Sequence, residues 1–84
     1  MTLLALVVAR LTRSGWRIVN TDATILAEAP KMAPYILAMR TRLAEVMEIN
    51  ISQVSVKAKT NEGMDAVGRR EGIFVMATAL VERV

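Results

Sequence analysis

The sequence contains no histidine and no cysteine. Without cysteine there is neither a disulfide framework nor a thiolate nucleophile, and a reducing compartment such as the cytoplasm is expected. Without either residue the chain cannot form the usual zinc sites or a Ser-His or Cys-His catalytic pair. Carboxylates remain as metal ligands, and they suit Mg²⁺ or Mn²⁺ better than Zn²⁺.

Aromatic residues are also scarce, at 4% of 84 residues, whereas hydrophobic residues make up 54%. A domain of this length buries only about 60–65% of its unfolded surface. The apolar excess therefore predicts a core shared in an oligomer or with a missing piece of the same protein. The formal charge of +3 suits an anionic partner. Because this excess is small and no aromatic residues are interleaved with it, nucleic-acid binding is not favoured.

The N-terminal apolar run has the spacing of one helix face, formed by Leu4, Val7, Val8 and Leu11, and Ser14-Gly15 ends it. A signal peptide is not favoured because no basic residue precedes the run. A membrane span needs ~20 apolar residues, so this run is too short to be one. We expect a helix in a cytoplasmic protein that has no membrane span.

Three segments favour strands. Residues 16–27 are rich in β-branched types and contain no helix or strand breaker. Val54, Val56 and Ala58 alternate with polar residues, which predicts a strand with one buried face. Residues 72–81 are apolar on both faces, so they form either a buried strand or a helix, and their Phe, Val and Thr content favours the strand.

A second helix is predicted from near Met32. Its apolar stripe comprises Met32, Tyr35, Ile36, Met39, Leu43 and Val46, while Arg40, Arg42 and Glu45 point away. Residues 60–72 hold three of the four glycines and are predicted to form a long loop. The resulting order α-β-α-β-β predicts an α+β fold. We expect one domain over residues 1–84, a two-layer sandwich of helices on a mixed or antiparallel sheet.

A proline-rich crossing, Ala27-Glu28-Ala29-Pro30-Lys31-Met32-Ala33-Pro34, joins the first predicted strand to the second helix. Each proline fixes its own φ and holds the preceding residue extended, so the crossing is stiff. A stiff crossing presents backbone N–H and C=O groups in fixed positions. Such an arrangement can recognise a flat ligand, such as a nucleobase, through hydrogen bonds.

Two polar clusters follow the alternating strand. Lys59-Thr60-Asn61-Glu62-Gly63 combines donors with a carboxylate, which suits a divalent cation that bridges phosphates. Its alternative interpretation is a polar turn at a strand end. Gly68-Arg69-Arg70-Glu71-Gly72 offers two arginines that suit a diphosphate, and its alternative interpretation is an Arg-Glu surface pair between turn glycines.

Several motifs occur in one order and register. They are Asn20-x-Asp22-x-Thr24-Ile25, Ala27-x-Ala29-Pro30-Lys31-Met32-x-Pro34, Met39-Arg40, Val54-x-Val56-Lys57-Ala58-x-Thr60-x-Glu62 and Val67-Gly68-Arg69-x-Glu71-Gly72-Ile73. Together they resemble the 2-C-methyl-D-erythritol 2,4-cyclodiphosphate synthases of the non-mevalonate isoprenoid pathway. The resemblance covers the whole chain but only about the C-terminal half of that family's usual length.

The resemblance implies a phosphorus-oxygen lyase. Such an enzyme cyclises 4-diphosphocytidyl-2-C-methyl-D-erythritol 2-phosphate with release of CMP, in a homotrimer whose active sites lie between neighbouring subunits. It also implies roles for residues of this chain. The cytosine is held by Ala27, Glu28, Ala29, Pro30, Lys31, Met32 and Ala33. The rest of the substrate meets Lys59, Thr60, Asn61 and Arg69, with Thr60 as the catalytic hydroxyl and Glu62 as the ligand of Mg²⁺ or Mn²⁺.

The resemblance also implies what this chain lacks. The family's N-terminal half carries an Asp-x-His motif and a further histidine that hold Zn²⁺, and these ligands are absent here. Lys59 and Asn61 stand where many members have threonines. We therefore expect a partial domain without the N-terminal metal-binding half, with poor turnover or none by itself, assembled as a homotrimer or with the missing half. The alternative is a catalytically inactive oligomeric remnant that binds CDP or CMP, or is only structural.

Overall fold

The computed structural model describes residues 2–60 and 62–84. Its helices and strands are α1 (Thr2–Arg13), β1 (Trp16–Leu26), α2 (Ile36–Met47), β2 (Val54–Lys59), α3 (Asp65–Gly68) and β3 (Phe74–Arg83). Short 3₁₀ turns, Ala33–Tyr35 and Ile51–Gln53, precede α2 and β2. The predicted order α-β-α-β-β is confirmed, and the short helix α3 lies within the segment that was predicted to be a loop.

β1 lies at the centre of a mixed sheet in the order β2-β1-β3. It pairs in parallel with β2, from Thr21 opposite Val54 to Leu26 opposite Lys59. It pairs antiparallel with β3 along its whole length, with an irregularity between Ile18 and Asn20. Because parallel strands need a long connection, the chain between β1 and β2 carries the crossing and α2.

The core lies between the helices and one face of β1 and β2. Its buried residues are Ile25, Ala27, Ala44, Met47, Val54 and Val56. The burial of Val54 and Val56 confirms the alternation predicted for β2, but Ala58 is exposed. The prediction was wrong at Ala58 because this residue, near the end of the strand, faces an open cavity instead of a helix.

Arg40 does not point away from the core as predicted. Its Nε donates to the carbonyl oxygen of Val54 at 2.8 Å, and its Nη2 donates to that of Ile51 at 3.0 Å. The guanidinium thus joins α2 to the start of β2. Tyr35, predicted to lie in the apolar stripe, is 57% exposed because it belongs to the 3₁₀ turn before α2.

β3 is a strand, as its composition favoured, but it is not buried. Phe74 is 48% exposed, Val75 56% and Met76 61%. Val75 is paired with the core residue Ile25, so it lies on the side of the sheet that carries the helices. Among the described residues the helices cover β1 and β2, and both faces of β3 remain open. The apolar sequence of β3 is therefore typical of a strand that is covered by a protein surface other than these helices.

The segment after β2 is compact because of a close approach between two glycines. A Cβ atom added to Gly68, at the end of α3, would clash with the backbone of Gly63. The Gly68 N–H donates to the carbonyl oxygen of Met64 at 2.7 Å. Among the described residues, no helix is both long and apolar enough to traverse a bilayer.

We expect Arg40→Met to lower the free energy of unfolding by about 2–3 kcal/mol. The change removes the two hydrogen bonds that the charged guanidinium donates, and it leaves the carbonyl groups of Ile51 and Val54 without that donor. Urea unfolding followed by circular dichroism measures the change. Arg42→Met is the matched control. The Arg42 side chain is 59% exposed, and within residues 2–60 and 62–84 its one ion pair is with Glu45, at 3.5 Å, so its loss is expected to cost less than about 0.5 kcal/mol. Equal unfolding midpoints for the two variants would contradict the role of Arg40.

Candidate functional site

The parallel pairing of β1 and β2 brings the crossing next to the end of β2. The Ala27 N–H donates to the carbonyl oxygen of Lys59 at 3.0 Å, which continues the ladder past the last paired residues. Within the crossing, the peptide bond between Ala29 and Pro30 is cis. Two segments far apart in sequence thus meet at one edge of the sheet.

A cavity of about 160 Å³ lies between these two segments. From the crossing it is lined by Ala27, Glu28, Lys31, Met32 and Ala33, and from β2 and the residue after it by Ala58, Lys59 and Thr60. Ala29 and Pro30, predicted to contact the ligand, are exposed and do not line the cavity. Most of the predicted crossing residues are therefore brought together with Lys59 and Thr60.

Main-chain donors of the crossing lack an acceptor within the described part of the chain. Within residues 2–60 and 62–84, the N–H groups of Lys31, Met32 and Ala33 donate no hydrogen bond. The carbonyl oxygen of Met32 already accepts from the Tyr35 N–H at 2.8 Å. A row of unpaired N–H groups beside a small cavity can hydrogen-bond the edge of a planar heterocycle without any side-chain base.

Thr60 lines the cavity, and Glu62 follows it in the next turn. The Thr60 hydroxyl oxygen accepts from the Glu62 N–H at 3.4 Å, and its own O–H is left to donate. Glu62 is exposed and has a left-handed φ of 53°. The Gly63 N–H donates to Glu28 Oε1 at 3.1 Å, which fastens this turn to the crossing. Asn61, predicted to contact the substrate, lies outside the described residues.

Glu62 does not sit in a cluster of metal ligands. Within residues 2–60 and 62–84, no three His, Cys, Asp or Glu side chains are placed to share a metal ion. Mg²⁺ commonly takes one or two carboxylates and completes its shell with water and substrate phosphates, so Glu62 fits such a site. Zn²⁺ does not fit, because the sequence has neither histidine nor cysteine.

Arg69 does not line the cavity. Its Nε lies 3.2 Å from Glu71 Oε1, and its Nη2 lies 3.1 Å from Glu71 Oε2. This geometry matches the Arg-Glu surface pair that was the alternative interpretation of the second cluster. Arg70 adopts a left-handed φ of 64° at the end of α3. A contact between Arg69 and a ligand thus requires the ligand to extend beyond the cavity.

An ion pair on the open face of the sheet was missed in the sequence. The Lys57 ammonium lies 2.8 and 3.1 Å from the two carboxylate oxygens of Asp22. Hydrogen bonds from Lys57 and then from Ser55 hold the pKa of Asp22 below its ordinary value. Asp22 and Lys57 lie far apart in sequence, and only the register of β1 against β2 makes them neighbours.

We expect Lys57→Met to raise the pKa of Asp22 toward 3.8, its ordinary value, while the hydrogen bond from Ser55 keeps it lower than that. Titration of the Asp22 carboxyl carbon by NMR measures the shift. In the unchanged protein the ion pair stabilises the fold at pH values above the pKa that Asp22 has in the unfolded chain. This contribution is lost as the pH falls through the lower pKa that Asp22 has in the folded protein. Arg13→Met removes a distant charge and is the control. Equal Asp22 pKa values in the two variants would contradict the ion pair.

A family model described as the YgbB family matches residues 1–82. Among curated proteins, the 2-C-methyl-D-erythritol 2,4-cyclodiphosphate synthase of Azotobacter vinelandii is 52% identical over 79 residues, which is 94% of this chain and 50% of the relative. The synthase of Gemmatimonas aurantiaca is 46% identical over 81 residues, which is 96% of this chain and 49% of the relative.

Solved structures match the fold. The crystal structure of 2C-methyl-D-erythritol 2,4-cyclodiphosphate synthase from Plasmodium vivax superposes with a TM-score of 0.96 at 31% identity, and the match covers 99% of this chain and 55% of that one. A CDP complex of IspF from Plasmodium falciparum has a TM-score of 0.91 at 26% identity, covering 95% and 51%. The chain therefore spans about half the length of the relatives it matches.

Proposed function

The chain belongs to the YgbB family, and from this premise we propose that it supplies the cytidine-binding part of a 2-C-methyl-D-erythritol 2,4-cyclodiphosphate synthase. The observation that carries the proposal is the cavity of about 160 Å³ between the crossing and the end of β2. Its unpaired N–H groups would suit a pyrimidine edge, and the hydroxyl of Thr60, which lines the same cavity, would meet the phosphates of the nucleotide. The CDP complex of a similar fold supports this assignment.

In the proposed reaction, an oxygen of the 2-phosphate attacks the β-phosphorus of the diphosphate. A new P–O bond forms, the bond from the β-phosphorus to the bridging oxygen breaks, and CMP leaves with that oxygen. The catalytic demand is to position two polyanionic groups and to stabilise the charge that develops. The Thr60 hydroxyl would donate to a phosphate oxygen, while Lys59 and Lys31 would balance charge beside the cavity.

Glu62 would hold Mg²⁺ or Mn²⁺ with the substrate's phosphates as further ligands. When bound, such an ion neutralises phosphate charge and orients the diphosphate. The turn that carries Glu62 is fastened to the crossing through the Gly63 N–H and Glu28. We therefore assign Glu62 to cation binding and Thr60 to the reacting phosphates.

We propose that the open strand β3 is covered by neighbouring subunits or by a segment equivalent to the half that this chain does not match. Phe74 and Met76 lie on one face and Val75 on the other, and all three are about half exposed or more. Large exposed apolar surfaces of this kind mark protein contacts. A homotrimer is the assembly that the resemblance implies.

A leucine at position 58 tests the pocket. We expect Ala58→Leu to weaken CDP binding at least about tenfold, because the larger side chain fills a cavity whose wall Ala58 forms. Isothermal titration calorimetry with CDP measures the dissociation constant. Ala9→Leu, an exposed alanine of α1, is the matched control and is expected to leave the binding unchanged. CDP binding that survives Ala58→Leu would place the nucleotide elsewhere.

Catalysis is tested by measuring CMP release from the diphosphocytidyl substrate. We expect poor turnover or none from the chain alone, and turnover when an N-terminal half from a full-length relative is added. The reason is that the family's zinc ligands are absent from this sequence. CDP binding without turnover in the mixture would favour the alternative, an inactive nucleotide-binding remnant, and full turnover by the chain alone would show that no second half is needed.

A further inference from the structure

Glu28 reaches from the crossing to the turn that follows β2. It is half-buried and lines the cavity. Its Oε1 accepts from the Gly63 N–H at 3.1 Å, across 35 positions of sequence. The main chain beside Glu28 is fixed to the sheet, because the Ala27 N–H donates to the carbonyl oxygen of Lys59. The Glu28 side chain therefore joins two distant segments from a fixed starting point.

The turn that carries Glu62 and Gly63 needs support from outside, because its backbone is strained. Glu62 has a φ of 53° and Gly63 a φ of 75°. Glycine adopts this left-handed conformation readily, whereas the Cβ atom of glutamate crowds the following carbonyl oxygen. The Glu62 N–H donates to the Thr60 hydroxyl at 3.4 Å, which is long for a hydrogen bond. The shorter bond from Gly63 to Glu28 is therefore the firmer hold on the turn.

Gly63 is held on its other side by α3. A Cβ atom added to Gly68 would clash with the Gly63 backbone, so the two glycines are in direct contact. The Gly68 N–H donates to the carbonyl oxygen of Met64 at 2.7 Å, which fixes this end of the short helix. Gly63 thus lies between Glu28 of the crossing and Gly68 of α3. The position of Glu62, the residue before Gly63, depends on both contacts.

The contact that Glu28 makes needs an acceptor oxygen and not a negative charge. The donor is a main-chain N–H, and an amide oxygen in the same place could accept the same hydrogen bond. In the part of the chain that the structure describes, no three His, Cys, Asp or Glu side chains are placed to share a metal ion, so Glu28 is not one of such a group. Glu62 differs, because its proposed role requires a carboxylate.

We propose that Glu28 is a positioning residue that couples the two parts of the candidate site. A base bound by the crossing steadies the main chain on either side of Glu28, and Glu28 holds the turn that presents Glu62 to a divalent cation. Each ligand then favours the binding of the other, because coupling between two sites is reciprocal. This role rests on the proposed function, since it takes the cavity for a nucleotide pocket and Glu62 for the cation ligand.

Calorimetric titration of CDP into the full chain, in EDTA and in excess Mg²⁺, measures the coupling. In the unchanged protein, Mg²⁺ is expected to tighten CDP binding about tenfold, within the usual range for coupled ligands. In Glu28→Ala this gain is expected to fall below about threefold, because the turn loses its bond to the crossing. The gain is a ratio measured within one protein, so any effect of the substitution on recognition of the base cancels.

Two further variants separate the hydrogen bond from the charge. Glu28→Gln loses the charge but keeps an acceptor oxygen, so it is expected to retain the gain from Mg²⁺. Glu45→Ala is the matched control. It removes the same charge from an exposed site on α2, where Glu45 meets Arg42 at 3.5 Å, and is expected to leave CDP binding unchanged. Circular dichroism and thermal unfolding establish that each variant is folded.

The coupling is also measured in the unchanged protein without any cation. The NMR chemical shift of the Gly63 amide proton reports its hydrogen bond to Glu28. Cytidine has no phosphate to contact the turn, so the shift that we expect at Gly63 when cytidine is added passes through Glu28. The shift is expected to persist in Glu28→Gln and to vanish in Glu28→Ala. If Glu28→Ala does not fold, the unchanged protein and Glu28→Gln decide the question.

The outcomes separate two failures. An equal gain from Mg²⁺ in Glu28→Ala and in the unchanged protein would overturn the role of Glu28 and leave the nucleotide pocket standing. Loss of the gain in Glu28→Gln would overturn it too, because the carboxylate would then act by its charge. CDP binding that Mg²⁺ does not change, or a Gly63 resonance that bound cytidine does not move, has the same meaning. No binding of either CDP or cytidine under any condition would overturn the proposed function, and the role of Glu28 would fall with it.

Discussion

The hydrogen bond from the Ala27 N–H to the carbonyl oxygen of Lys59, at 3.0 Å, is the contact on which the candidate site depends. Parallel strands end at the same edge of a sheet, so pairing β1 with β2 puts their last residues side by side. The bond carries this pairing past Leu26 into the crossing. A shift of one residue in the register would turn the side chains of β2 to opposite faces, and would move Lys59 and Thr60 away from Lys31 and Met32.

α2 keeps that register in place from the other end of β2. Arg40 donates to the carbonyl oxygens of Ile51 and Val54, and the Asn50 and Gln53 side chains close the 3₁₀ turn between α2 and β2 through reciprocal backbone hydrogen bonds. The start of β2 is therefore fixed to a helix, and its end is fixed to the crossing. The residues of β2 at the cavity belong to a strand that is fixed at both ends, whereas Glu62 lies in the turn that the Glu28 side chain joins to the crossing.

Local patterns were sufficient to predict the elements, because the alternation at Val54 and Val56 reflects burial and the helical spacing in α1 brings Leu4 and Val8 against the core, although Val7 of the same predicted face is 48% exposed. They were insufficient where a contact depends on register. Arg40 has the spacing of a surface residue next to Arg42, yet its partners lie beyond the end of the helix. Asp22 and Lys57 meet only through the parallel pairing.

Strand β3 was expected to be buried because its composition is apolar. The sequence pattern does not tell whether the surface that buries a strand belongs to the same chain. The crossing was found because its prolines act locally, while the ligand proposed for it came from resemblance.

The central strand of the sheet comes first of the three described strands in the sequence. β1 precedes both of its partners along the chain, and its pairing with β3 runs from Phe74 opposite Leu26 to Arg83 opposite Trp16. Closing that pairing joins positions separated by nearly the whole chain, which is the kind of contact that slows folding. During synthesis, the edge of β1 that pairs with β3 therefore has no partner from β3 until that strand has emerged, and an unpaired strand edge of this kind is prone to aggregation.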